Sequence, residues 1–471
     1  MTDFLPLIEE LHPAPDPVAL FCRLRSRPHC LFLDSALRDP QLGRYSYLAA
    51  DPFVYFTVPA DGSDGLTQLG NRLRHWTAPS VAGIPPFQGG AAGLLSYDLG
   101  RSLERVATPR FDEFAHPAMA IGFYDVVIAF DHASNRAWIV SQGLPETEPS
   151  LRQKRARERI DEMKRWLAEP PSAHAAAFTS NLPPVAIDQL VPQFSVPGPA
   201  GLTSDFSADG YRRAVQHAVE YIRAGDIFQV NLSQRLLFPA RDHAFDLYLR
   251  LRERNPATFG CYFDLGDFQI VSASPERFVS VQGRQVEARP IKGTRRRINR
   301  AEADLYAGDD LQQSEKDRAE NVMIVDLLRN DISQVCLPES VRVTQLCRRE
   351  VYQYVQHLVS AVRGELADGR TALDLVRASF PGGSITGAPK VRAMEIIAEL
   401  EPTARGPYCG SLGYIGFDGT MDLNILIRTI IAGRGWWQFP VGGGVIAASQ
   451  PQLEYEETWH KAAGLLKALV H

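Results

Sequence analysis

The chain has no Cys-x-x-Cys pair and no zinc-ligand spacing. Its six cysteines, Cys22, Cys30, Cys261, Cys336, Cys347 and Cys409, are scattered. That excludes a structural zinc module and predicts free thiols in a reducing cytosol. No apolar run approaches the length of a membrane span. The first ten residues carry Asp3, Glu9 and Glu10 and no leading positive charge, so no secretory leader is expected and a soluble cytoplasmic protein is. Basic excess is also missing. The net charge is −5, against the basic face that a nucleic-acid binder needs. There is no internal repeat, no low-complexity tract and no Gly-x4-Gly-Lys-Ser/Thr phosphate loop. What remains is an ordinary globular mixture over 471 residues, 45% hydrophobic and 22% charged. It is enough for two or three units or one composite domain.

Residues 1–170 read as short strands and turns followed by a charged helix. Cys30–Leu33 and Ala120–Phe130 are strand-like, and Gly89–Gly93 opens another apolar segment. Leu151–Ala168 predicts a helix with a solvated charged face. Residues 171–204, rich in Pro, Ala and Ser, are expected to be a linker, and 205–471 a second unit. There Ser207 predicts a helix cap, Ala224–Gly225 a helix end, and Tyr211, Val215, Ala218, Val219 and Ile222 a buried stripe. Gln269–Ala273, Phe278–Gln282 and Asn424–Ile431 read as strands.

Four local features carry chemistry. Lys292 lies in Arg289-Pro-Ile-Lys-Gly-Thr-Arg-Arg-Arg297, with an apolar neighbour and a glycine that admits close approach. Burial and the like charges of Arg289, Arg295, Arg296 and Arg297 would favour a neutral, nucleophilic amine. A basic surface strip reads the same way. On a helix starting near Ser314, Asp317 and Glu320 share a face, and near the C-terminus Glu454 and Glu457 do so again. Such pairs suit a hard divalent cation, and they equally suit helix dipoles or surface salt bridges. The loop Phe380-Pro-Gly-Gly-Ser-Ile-Thr-Gly-Ala-Pro-Lys390 opens onto a helix, and Gly442–Gly444 follows a strand; both can offer backbone donors to an anion. Arg428 is a lone charge in an apolar strand and needs an anionic partner, a substrate carboxylate or an internal acid.

Ser274-Pro-Glu-Arg-Phe278, Pro290–Thr294, Lys316–Asp331, His357-Leu-Val-Ser360, Phe380–Lys390, Gly413-Tyr-Ile-Gly416, Ile427-Arg428, Gly442–Gly444 and Glu454-Tyr-Glu-Glu-Thr458 occur in this order. They resemble the chorismate-utilising enzymes over nearly the whole chain. The resemblance implies an α+β composite of two packed antiparallel sheets flanked by helices, with the N-terminal portion contributing to the core. Lys292 discriminates within the family. Anthranilate synthase large subunits carry alanine there, whereas aminodeoxychorismate synthase large subunits carry Pro-Ile-Lys-Gly-Thr.

The expected activity is therefore amination of chorismate by ammonia to 4-amino-4-deoxychorismate, in para-aminobenzoate and folate synthesis. Component I of anthranilate synthase is the alternative, and a non-catalytic paralogue that binds tryptophan or a partner is a third. The resemblance implies Lys292 as nucleophile, Glu276 as acid and His357 as a further pocket residue. Mg2+ would be held by Glu320 and Glu457 with Asp317 and Glu454 in support. Arg428, Tyr408, Ser384, Thr386, Gly442, Gly443 and Gly444 would bind substrate. A tryptophan pocket would involve Ser35, Arg44, Tyr45, Thr258, Phe259 and Gly260, with Thr258 standing where tryptophan-regulated relatives tend to have proline. No Gly-x-Cys-x-Gly nucleophile elbow is present. Ammonia is accordingly expected from a separate glutamine amidotransferase subunit.

Overall fold

A computed structural model describes residues 4–39, 42–170, 182–297, 300–351 and 355–470. Among them two large sheets form, of thirteen and ten strands, and every pairing between named strands is antiparallel. The expected α+β composite is what the chain folds into. In the first sheet Leu31–Asp34, Phe259–Asp264, Phe268–Ser274, Thr429–Gly433, Trp436–Val445 and Gln229–Pro239 are successive neighbours. In the second the run is Ile291–Arg296, Val355–Glu365, Gln285–Ala288, Arg277–Gln282, Met421–Asn424, Ser411–Gly416 and Gly90–Leu95. Early and late strands alternate in both, with Phe32 opposite Tyr262 and Gly93 opposite Gly413.

The sheets pack through a core drawn from both. Leu31, Phe263, Ile270 and Ile431 meet Ala92, Leu94, Leu412 and Tyr414. Alternate residues of the same strands face outward under helices. Phe32, Ile128 and Val271 pack with Phe21, Ile160, Phe245 and Leu465 outside the first sheet. Val279, Val362 and Leu423 pack with Leu69, Ile324 and Leu375 outside the second.

This two-sided burial explains the long apolar runs, which lack the alternation of half-exposed strands. It also corrects two expected single strands. The run Ala120–Phe130 is two strands, Met119–Tyr124 in the second sheet and Val126–Asp131 in the first, with buried Asp125 at the crossing. The run Asn424–Ile431 crosses likewise, from Met421–Asn424 to Thr429–Gly433, with Arg428 in the left-handed region at φ +52°. A third crossing, Phe268–Ser274 to Arg277–Gln282, passes through Pro275 and Glu276.

The helix Ala208–Ala224 has the expected ends. Ser207 Oγ accepts from Gly210 N at 3.0 Å, and Gly225 takes φ +85°. Tyr211, Val215, Ala218 and Val219 are buried and Ile222 half-buried. The helix Pro149–Ala168 has the expected solvated face, with Lys154, Arg157, Glu158, Asp161, Lys164 and Arg165 exposed, and packs its opposite face inward. Ala156, Ile160, Met163 and Trp166 are buried, and Arg159 reaches Asp125 at 3.2 Å. Of the segment 171–204, residues 171–181 lie outside the described residues. The remainder buries Val185, Leu190 and Val191 and adds two-residue strands beside Gln229–Pro239. All six cysteines are free, and among the described residues no helix is long and apolar enough to cross a membrane.

Candidate active site

Two crossings lie against each other at the seam between the sheets. Ile425 N donates to Glu276 O at 3.0 Å, and Ala273 N to Arg428 O at 3.1 Å. Each crossing thereby holds the other's charged residue in place. Glu276 is buried, and burial pushes its carboxyl up to about 7; the Lys292 ammonium, the Ser384 hydroxyl, the Ile291 N–H and Arg428 pull it partly back. A carboxyl so placed keeps its proton near neutrality and can act as an acid.

Lys292 comes from the strand Ile291–Arg296, which pairs Lys292 with Leu358 and then shifts register before Thr294 opposite His357. Gly293 forms this bulge at φ +72°. A Cβ there would lie 2.8 Å from Leu311 Cδ1 and 3.0 Å from Asp317 Cγ. Just before the bulge Lys292 Nζ donates to Ser384 O at 3.0 Å, while Ser384 Oγ donates to Glu276 Oε1 at 3.1 Å. One serine thus touches both the amine and the acid.

The arginines flanking Lys292 do not crowd it as expected. Arg289 pairs with Glu350 at 2.6 Å, Arg295 with Asp310 at 2.7 Å and Asp317 at 3.4 Å, and Arg297 with Asp304 at 3.1 Å. The side chain of Arg296 lies outside the described residues. His357 is buried, and burial followed by Arg428 pushes its imidazole down to about 4, so it is neutral at pH 7. Arg428 is largely desolvated, which holds it below its ordinary value, and Glu276 is the acid that acts on it. Among the described residues its guanidinium has no hydrogen bond or salt bridge. Tyr408 is buried, its ring 5.8 Å from the Arg405 guanidinium. Thr386 is buried and donates to Gly382 O at 2.9 Å, inside its own loop.

Gly442–Gly444 are not a turn. They lie inside the strand Trp436–Val445, opposite Ser233, Leu232 and Asn231. Two of the three, Gly443 and Gly444, lie beside acids. A Cβ on Gly443 would sit 3.2 Å from Glu457 Oε1 and 3.5 Å from Glu454 Oε2, and one on Gly444 3.7 Å from Glu320 Oε2. Glu454 and Glu457 project from the helix Pro451–Leu469, and Glu320 from the helix Glu315–Ser333. Ser449 Oγ donates to Glu454 Oε1 at 2.6 Å, and Lys461 Nζ lies 2.8 Å from Glu457 Oε1. Among the described residues no three His, Cys, Asp or Glu side chains form a ready-made cage. Asp317 faces Gly293 and Arg295 instead of this glycine edge.

Sequence reasoning missed Gln229. It is buried at the start of the strand Gln229–Pro239, its Oε1 has no hydrogen-bond partner among the described residues, and its amide nitrogen fills the space beside Gly444. A polar side chain opening an apolar strand was the available signal.

The six residues expected around tryptophan do come together. Ser35, Arg44, Tyr45, Thr258, Phe259 and Gly260 line a cavity of about 450 Å3 that also takes in Arg277, the residue after Glu276. Ser35 Oγ donates to Tyr45 O at 2.6 Å, and Arg44 grips Asp131 with two bonds of 2.9 and 2.7 Å.

The chain is 43% identical to anthranilate synthase component 1 of Thermus thermophilus over 386 residues, 82% of this chain and 78% of that one. It is 38% identical to aminodeoxychorismate synthase component 1 of Bacillus subtilis, covering 94% and 92%. The crystal structure of anthranilate synthase component I from Streptococcus pneumoniae superposes with a TM-score of 0.75 at 31% identity, covering 91% and 93%. The family model for chorismate binding enzyme matches residues 57–467, which embraces Glu276, Lys292, Ser384, Arg428 and the glycine edge. A seam that joins a buried acid, an amine and a guanidinium without a hydrogen bond among the described residues therefore sits within a chain that belongs to the chorismate binding enzymes.

Proposed function

We propose that this protein aminates chorismate with ammonia to give 4-amino-4-deoxychorismate, the committed step toward para-aminobenzoate and folate. The observation that carries the reading is the Lys292–Ser384–Glu276 arrangement, an amine and a protonated acid bridged by one serine. Lys292 adds to ring carbon C2, the ring double bonds shift, and the 4-hydroxyl leaves as water with the proton of Glu276. Ammonia then adds at C4, the double bonds shift back, and the amine of Lys292 leaves from C2. The enolpyruvyl ether stays on the product, so a separate lyase is required downstream.

Arg428 supplies a desolvated guanidinium for the pyruvyl carboxylate, and Tyr408, buried against Arg405, is the second candidate contact. Ser384 orients both reacting groups. Thr386 holds the loop that carries it, and neutral His357 lines the strand opposite. Glu320, Glu454 and Glu457, all hard oxygen donors near the edge formed by Gly443 and Gly444, would hold Mg2+, whereas Asp317, turned to Gly293 and Arg295, is left out of the set. When bound, Mg2+ neutralises the ring carboxylate and the charge that develops beside it. The relatives' designation as component 1 supports a second component, here a glutamine amidotransferase that supplies the ammonia.

Many relatives are anthranilate synthases, and that reading predicts amination at C2 with loss of pyruvate. Incubating the protein with chorismate, Mg2+ and an ammonium salt decides the matter by mass spectrometry. An aminated product that retains the enolpyruvyl group, together with a substrate-derived adduct on Lys292 in quenched samples, is expected. Anthranilate and pyruvate in its place overturn the proposal.

A further inference from the structure

Lys390 and Asp331 are each placed against their own helix. Lys390 is the first residue of the helix Lys390–Leu400, where a positive charge opposes the dipole and no side chain caps the end. Asp331 lies in the last turn of the helix Glu315–Ser333, where a negative charge does the same. Neither position is explained by helix stability. Each is explained by the other, since Lys390 Nζ donates to Asp331 Oδ2 at 2.8 Å with both side chains nearly inaccessible.

The same ammonium donates to Ser379 O at 2.7 Å. Ser379 and Lys390 are the residues immediately before and after the loop Phe380–Pro389. One side chain thereby ties the neck of the loop shut and fastens it to the helix that presents Glu320. On that helix, Leu327 lies one turn before Asp331, and a Cβ on Gly383 would run into its Cδ2. From the other side Arg405 Nη1 holds Ile385 O at 3.0 Å and Asn231 N holds Thr386 O at 2.7 Å. Between these two anchorages sits Ser384.

We propose that the Lys390–Asp331 pair is a clasp that positions the Ser384 loop, so that the serine keeps its carbonyl on Lys292 and its hydroxyl on Glu276. The clasp touches no reacting atom, and its effect on turnover rests on the reading of the reacting centre given above. Loss of the clasp lets the loop shift relative to the acid, and a displacement of that kind lowers turnover more than binding.

The test uses the full chain with chorismate, Mg2+ and ammonium, together with amide hydrogen exchange. Lys390→Met is expected to lower kcat about ten- to a hundredfold with the chorismate KM within about threefold. Exchange of the amides at 383–388 should quicken by about tenfold. Lys390→Arg, which keeps the charge, should restore both. Asp331→Asn leaves an acceptor without a charge and should move both readouts in the same direction, so it serves if Lys390→Met does not fold. Parental kcat and exchange in Lys390→Met overturn the proposal. So does a kcat loss that only mirrors a smaller folded fraction, or one that arginine fails to rescue. If Lys292→Ala and Glu276→Gln turn over at the parental rate, the reading of the centre fails instead. The clasp is then judged by exchange at 383–388 alone, which does not depend on the chemistry.

Discussion

Replacing Glu276 by glutamine should make the protein more stable, and increasingly so as pH rises. The carboxyl titrates at about 7 in the folded protein against an ordinary 4.5, chiefly because it is buried. Its folded value is raised, so the native state binds more protons than the unfolded state between those two values. Stability that is fully present below pH 4.5 is accordingly lost as pH climbs through 7. At roughly 1.4 kcal/mol for each pH unit separating the two values, ionising this one group costs the fold about 3 kcal/mol. Glutamine keeps the shape and an acceptor for Ser384 Oγ but carries no charge. The stability gained by Glu276→Gln should therefore grow by about 2.5 kcal/mol from pH 5 to pH 8. Calorimetry of parent and variant at the two pH values measures it, and other titrating groups cancel in the difference. The Lys292 ammonium is the leading group that stabilises the ionised form. In a Lys292→Ala background the increment should be larger still. A gain that is the same at pH 5 and pH 8 would refute the claim that Glu276 is a buried, proton-holding acid. Turnover is the poorer reporter here. Turnover falls as Glu276 loses its proton, but every other step of the reaction that responds to pH is folded into the same rate.

Lys292→Ala should lower amination of chorismate roughly a thousandfold or more while leaving chorismate affinity near parental, as followed by product formation and equilibrium binding. Arg428→Met should raise the chorismate KM roughly ten- to a hundredfold, the worth of a charge-assisted bond to a carboxylate, without lowering the melting temperature. An unchanged KM with a destabilised fold would place Arg428 in an internal salt bridge. Gly443→Ala should raise the Mg2+ concentration needed for half-maximal activity by roughly tenfold, because the new methyl meets Glu457 and Glu454, while the denaturation curve stays put.

The parts of the fold legible in the sequence were those governed by local chemistry. The cap at Ser207, the stop at Gly225 and the acids spaced three apart on the helices at Glu320 and Glu457 follow from neighbours within one or two turns. The sheet crossings were not legible, because a strand buried on both faces shows an unbroken apolar run whichever sheet it belongs to. A lone charge inside such a run, Asp125 or Arg428, was the mark of the crossing. The arginines beside Lys292 were read as crowding it because their partners, Asp304, Asp310 and Glu350, come from other segments of the chain. Gly442–Gly444 looked like an anion-binding turn for a similar reason. Only the packed structure shows what a side chain there would meet: Leu232 O at Gly442, Glu457 and Glu454 at Gly443, and Gln229 ahead of Glu320 at Gly444. Gln229 gave no periodic or motif signal beyond being polar.

The seam explains why a costly acid and a costly guanidinium are tolerated at all. A chain segment that leaves one sheet for the other must give up ladder hydrogen bonds for a few residues, and buried backbone groups left without partners are expensive. Here the two crossings supply each other's missing bonds, Ile425 N to Glu276 O and Ala273 N to Arg428 O. The backbone at Glu276 and Arg428 is thus fixed by two hydrogen bonds that lie between two large hydrophobic cores. Neither residue can withdraw toward solvent without breaking them. Arg428 even stays in the left-handed region, which is unfavourable for a side chain of its size. Burial then does the chemical work. It keeps a proton on Glu276 near pH 7 and leaves the Arg428 guanidinium short of an anion. Both properties come from the meeting of two sheets, so a mutation that loosens the seam without touching either charged side chain's own position in the sequence, such as enlarging the buried Ala273, should lower the Glu276 value toward 4.5. The pH-dependent increment measured by calorimetry should shrink with it.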